Sequence, residues 1–210
     1  MSVDVKGRPK TGKLVARFYY RSELITEASV DFAKVNSGLI FSFGESTNVG
    51  FHLKHDNPFP ISKHFRVELF EDEKTFGSYP FHVVPPRDVL KTQLRSATLT
   101  RDVDDKFNPI DETRVFQPTD TVHLAVRADV GIRTWLQGTW FVSGKAAEEA
   151  TRSLTFEENA KDTGMAFSFL PEGGWPEGKH EVLLTINDEE AARHSFSVAK
   201  PSPDAPRPAQ

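Results

Sequence analysis

The sequence predicts an all-β protein built as two tandem sandwich domains, the first a smaller and divergent copy of the second. Three observations carry that reading. Apolar and polar residues alternate at period two along most of the chain, the mark of strands with one buried face. Phenylalanine occurs 17 times against two methionines, a bias suited to a pleated, half-buried surface. A stretch of the first half also returns, nearly position by position, in the second.

Taken in order, the first half offers the runs KLVARFYY (13–20), ASVDFAKV (28–35), GLIFSF (38–43), VGFHLKH (49–55), HFRVELF (64–70) and YPFHVV (79–84), each bounded by Gly, Pro, Asn, Asp or Ser. In HFRVELF, the side chains of Phe65, Val67 and Leu69 point one way and those of Arg66 and Glu68 the other. The second half offers RSATLT (95–100), TVHLAVRA (121–128), QGTWFVSG (137–144), RSLTFEE (152–158), MAFSFL (165–170), HEVLLTIN (180–187) and RHSFSV (193–198). The segment GKAAEEATR at 144–152 spans only two helical turns and reads as a connection between strands. The prolines of PPRDVLK (85–91) forbid a central strand. The predicted organisation is therefore a sandwich over 1–86, a linker over 87–91, a larger sandwich over 92–200 and a proline-rich, disordered tail over 201–210.

The repeat lays FHLKHDNPFPISKH (51–64) over FSFLPEGGWPEGKH (167–180), pairing Phe51 with Phe167, Phe59 with Trp175 and His64 with His180. After a slip of one residue, Val67 and Leu69 meet Val182 and Leu184, and Phe81 and Val83 meet Phe196 and Val198. Matches at alternate positions describe one pair of sandwich strands built twice. The aromatic residues at 59 and 175 then cap the two cores.

Two motifs carry a family resemblance. Phe116-x-Pro118-x-Asp120 opens the strand at 121–128, and Trp175-Pro176-x-Gly178-x-His180-x-Val182 forms a closing hairpin. This pattern resembles bacterial immunoglobulin-like domains over most of 94–199, and residues 13–86 match only the later strands. The resemblance implies two tandem immunoglobulin-like β-sandwiches with an accessory or adhesive role, and it transfers no catalytic residue. His180 departs from the pattern, which usually has an aromatic there.

Several function classes are set aside by composition. The net charge of −4, from 26 basic and 30 acidic residues, leaves no basic run to track a phosphate backbone, so nucleic acid is not an expected partner. The absence of cysteine removes disulfides and thiolate chemistry. No apolar stretch approaches a membrane span and no leader precedes the first strand. The expectation is a soluble, cytoplasmic protein, or an extracytoplasmic one if an upstream leader has been removed.

Three constellations were weighed for chemistry. His52-x-x-His55-Asp56 is the nearest approach to a metal cluster, but positions three apart on a strand face opposite ways. Asp102, Asp104, Asp105, Asp111 and Glu112 are dense, yet Lys106 stands where a calcium loop needs a third oxygen. Tyr19, Phe70 and Trp135 are the candidates for a sugar-stacking platform. No catalytic residue, cofactor or metal is predicted.

The preferred function is a non-catalytic protein-interaction or accessory module, with a carbohydrate- or small-ligand-binding sandwich as the alternative. If KLVARFYY corresponds to TVHLAVRA, the first domain lacks an opening strand, which SVDV at 2–5 fills only in part. Leu14, Ala16 and Phe18 would then line an unpaired edge for another protein or a second copy. Arg133 and Trp135 form a second candidate contact, since Trp with Arg is the composition of an interface anchor. The competing reading folds Trp135 back onto its own domain.

Overall fold

The computed structural model describes residues 1–6, 9–35, 46–54, 58–87 and 89–200. Strands dominate it, and among the described residues no helix is long and apolar enough to cross a membrane. The chain divides into two compact units, Met1–Val84 and Pro85–Gln210.

In the first unit the described strands are β1 (Ser2–Lys6), β2 (Lys13–Tyr20), β3 (Glu23–Asp31), β4 (Ser46–Gly50), β5 (Ser62–Glu71) and β6 (Lys74–Val83), with one helical turn, α1 (Phe32–Val35). One sheet has the order β3-β2-β5-β6 and the other pairs β1 with β4. Alternation decides which side chains meet between them. Leu14, Ala16 and Phe18 of β2 and Val67 and Leu69 of β5 turn inward to pack with Val49, Phe51 and Phe32, while Val3 and Val5 of β1 close over them.

The second unit contains β7 (Gln93–Thr100), β8 (Val115–Phe116), β9 (Val122–Val130), β10 (Trp135–Val142), β11 (Lys145–Ala146), β12 (Arg152–Thr155), β13 (Ala160–Phe169), β14 (Gly178–Ile186) and β15 (Glu189–Val198). Its sheets run β13-β9-β7 and β11-β10-β14-β15-β8, with β12 also on β10. All ladders are antiparallel except β15 with β8, which is parallel. Between the sheets lie Leu124, Val126, Leu136, Trp140, Phe167, Val182, Leu184 and Phe196. The approach is close enough that a Cβ at Gly138 would stand 2.7 Å from the Phe167 ring.

The same pairing pattern recurs in both units. Ala16 faces Leu69 and Phe18 faces Val67 across β2 and β5, as Gly138 faces Leu184 and Trp140 faces Val182 across β10 and β14. Phe65 faces Phe81 as His180 faces Phe196. On the second sheet Val3 faces Val49 as Val126 faces Met165.

Several sequence expectations are corrected. β2 is not an edge strand: it lies inside its sheet with β3 on one side and β5 on the other. A strand starts at Glu23, upstream of ASVDFAKV, and ends at Asp31, whose carboxylate accepts the Ala33 N–H at 2.9 Å and turns the chain into α1. VGFHLKH leaves the ladder at Gly50. Register places His180 opposite Phe196 and Phe65 opposite Phe81. The segment at 144–152 contains a short β11 and a 3-10 turn at Glu148–Ala150. The strand GLIFSF, His55 with Asp56, and the tail over 201–210 lie outside the described residues.

All three tryptophans belong to the second unit, so their fluorescence reports its unfolding. Gly138→Val drives a branched side chain into Phe167 and is expected to destabilise this unit by about 1–3 kcal/mol. Equilibrium denaturation followed by tryptophan emission measures it; an unchanged midpoint would mean the sheets separate freely.

Candidate functional site

The outward face of the sheet β3-β2-β5-β6 is built from the polar half of each alternation. Arg17 and Tyr19 project from β2, Arg66, Glu68 and Phe70 from β5, and Glu27 from β3. The Arg17 guanidinium lies 4.4 Å from the Phe70 ring centroid and bonds Glu27 at 2.7 Å. Arg66 lies 4.2 Å from the Tyr19 ring centroid and bonds Glu68 at 2.8 Å. Two of the three sugar-platform candidates thus share a face, and each has a ring covered by arginine. Trp135 belongs to the other unit.

Two edges border the same unit. β6 ends its sheet, and β1 is paired only with β4 among the described strands. Pro80 in β6 suits an edge, because it has no N–H to donate. Phe76 is 62% exposed and Val84 68% exposed, and Tyr79 is also exposed. Beside β1 runs an apolar groove of about 390 Å³, lined by Val3, Val5, Leu14, Phe32 and Phe76 together with Glu71.

Of the predicted contact residues, Leu14, Ala16 and Phe18 are core side chains, with Ala16 and Phe18 fully enclosed between the sheets. The unpaired edge expected along 14–20 is therefore displaced to β1 and β6. Arg133 takes a left-handed φ of 65° and its N–H donates to Phe156 O at 2.6 Å. Trp135 is half-buried, pairs with Thr155 of β12, and donates its N–H to Asn187 Oδ1 at 3.0 Å. The structure therefore anchors both backbones in a strand-to-strand corner of the second unit, whereas Leu14, Ala16 and Phe18 belong to the first.

The acidic cluster is a folded loop over 101–113. Asp104 accepts the N–H groups of Lys106 at 2.8 Å and Asn108 at 2.7 Å, and the Asn108 side chain at 2.7 Å. Those bonds hold its carboxyl below the usual range, the Asn108 side chain contributing most. Arg101 ties Asp111 at 2.7 Å to Asp120 at 3.0 Å. His52 is exposed just past β4. Among the described residues no three His, Asp or Glu side chains gather as a metal site.

His180 is fully buried. Its Nδ1 accepts the Ser143 N–H at 3.2 Å, which leaves Nε2 to donate to Pro176 O at 2.8 Å. Its ring sits 5.2 Å from Trp175 and 5.5 Å from Phe196. This imidazole is a structural aromatic with two hydrogen bonds.

Sequence reasoning missed the edges of β1 and β6 because it matched KLVARFYY to TVHLAVRA and so placed the open edge along 14–20. Pro80 within an alternating run was the available signal for β6. No protein-family model matches the chain, and no curated protein matches it.

His180→Phe keeps the ring packing but leaves the Ser143 N–H and Pro176 carbonyl without their partner. The expected cost is about 1–3 kcal/mol for each unmet group, read by denaturation of the second unit; no loss would show that water satisfies both.

His123 and His194 predict a pH dependence. Burial lowers both imidazoles, opposed by Asp102 at His123 and aided by Arg114 at His194. The folded state therefore resists protonation more than the unfolded chain. Their stabilising effect is complete above about pH 6.5 and is lost as pH falls through the depressed folded values. The fluorescence midpoint is expected to drop as pH falls below about 6.5, and His123→Gln with His194→Gln should flatten that drop. The bonded carboxylates of Asp104, Asp129 and Glu190, all held low, titrate below this window.

Proposed function

We propose that the chain is a non-catalytic protein-binding module made of two immunoglobulin-like sandwiches related by duplication, the first of which carries the binding surface. Matched registers across β2-β5-β6 and β10-β14-β15 support the duplication. The order β13-β9-β7 against β10-β14-β15-β8, with a parallel last pair, supports the immunoglobulin-like reading of the second unit.

One observation carries the functional reading: the first unit exposes Phe76, Tyr79 and Val84 along the edge strand β6 or just beyond it. Apolar side chains beside an open backbone ladder favour a polypeptide partner, which satisfies both at once. The carbohydrate alternative is weakened by the arginines that lie over the faces of Tyr19 and Phe70, where a sugar ring would stack. The carboxylates of Asp104 and Asp111 are already engaged in loop bonds, which favours structure over acid–base chemistry for that cluster.

A photo-crosslinking amino acid at Phe76 in the intact chain, expressed in its native cell, is expected to trap one discrete protein, and a Tyr79→Ser variant should weaken that adduct. Saturable glycan binding that Tyr19→Ala and Phe70→Ala abolish, with no protein adduct, would overturn the reading.

A further inference from the structure

In the second unit, residues 93–116 supply two ladders that the first unit does not have among its described residues. β7 pairs with β9, and β8 pairs with β15 so that Ser197 and Ala199 donate to Arg114 and Phe116. Register equates β9 with β1 and β15 with β6. On that equation the two edges left open among the described residues of the first unit both fall at the place of the β7–β8 segment, and the apolar groove beside β1 lies there.

The direction of the free donors follows from the ladder. Met1 and Phe51 exchange two hydrogen bonds of 2.8 Å. Antiparallel pairs alternate between bonded and non-bonded, so Val3 and Val5 bond β4. The N–H groups of Ser2, Asp4 and Lys6 face away from it.

Charge specifies the occupant. Arg95 of β7 grips Asp129 of β9 through bonds of 3.0 and 2.8 Å. By register the equivalent of Asp129 in the first unit is Lys6. A copy of β7 from a second molecule would set Arg95 against Lys6, whereas an acidic residue there would form a pair.

We propose that the first unit accepts an extended strand from a partner protein, antiparallel to β1, with apolar residues at alternate positions and a carboxylate opposite Lys6. This rests on the reading of the chain as a protein-binding module and names its mode of recognition. The strand's apolar side chains enter the groove against Val3, Val5 and Phe32, as Leu94, Ala97 and Leu99 pack onto the second core.

The test uses the full chain and two peptides, one with the sequence of β7 and one with its arginine replaced by glutamate. The glutamate peptide is expected to bind at least about tenfold more tightly, a difference of about 1.4 kcal/mol, and to slow amide exchange at Ser2, Asp4 and Lys6. Lys6→Glu should reverse the preference. Asp4→Pro removes one outward donor without touching the β1–β4 ladder and should abolish binding. Binding of neither peptide, slow exchange at these amides in dilute chain alone, or protection that rises with protein concentration would each overturn the proposal; the last two would assign the edge to the chain's own residues or to a second copy. A protein adduct at Phe76 that survives Asp4→Pro would sink strand addition while leaving the protein-binding reading intact.

Discussion

The second unit is organised around the seating of Trp175. Its N–H donates to Pro118 O at 2.8 Å and its indole Nε1 to Asp120 O at 3.0 Å. Its ring packs against Trp140, Phe169, His180 and Phe196 at centroid distances of 5.1 to 6.0 Å. One side chain thus joins the entry to β9, the turn before β14 and the centre of the core. Gly174 makes this possible: with φ of 88°, a Cβ there would lie 2.7 Å from Pro118 O. Asp120 completes the arrangement by accepting the Gln117 N–H at 2.8 Å and the Arg101 guanidinium at 3.0 Å. The acidic loop is in this way fastened to the same junction that Trp175 holds.

The first unit has a lesser version of that junction. Phe59 reaches Phe65 edge-on at 5.9 Å, but its ring, unlike the Trp175 indole, carries no N–H to donate. The four-stranded sheet compensates on its outer face, where arginine, carboxylate and aromatic side chains tie β3, β2 and β5 together. Such exposed ion pairs each contribute little, so the enclosed residues Ala16, Phe18, Phe51 and Leu69 bear most of the load.

Much of the architecture was legible in the sequence because period-two alternation records burial directly. The inward set Phe65-Val67-Leu69 came out as the pattern required. Of the aligned aromatics, Trp175 is a buried member of the second core, whereas Phe59 is half-buried and touches Phe65. What alternation cannot encode is which strand lies beside which. KLVARFYY and TVHLAVRA have the same pattern, and only cross-strand register separates the central β2 from an edge. His180 was hard for a different reason: its burial depends on partners at Ser143 and Pro176 that the sequence places 37 and 4 residues away. The boundary of β3 was lost because Glu23-Leu24-Ile25-Thr26 does not alternate cleanly, and Leu24 remains 48% exposed.

An open edge is a hazard unless something limits its pairing. β6 carries Pro80 and is interrupted near Gly77, over which the Tyr79 ring folds so closely that a Cβ would meet it at 2.7 to 2.9 Å. β1 is short, and its exposed side chains alternate a carboxylate at Asp4 with an ammonium at Lys6. An antiparallel β1 from another molecule centred on Asp4 would oppose two carboxylates, which is unfavourable. The second unit's own opening strand is mismatched at Lys6. If a strand is added there as proposed, Asp4 and Lys6 set its register, disfavouring arrangements that oppose like charges and favouring those that bring a carboxylate to Lys6.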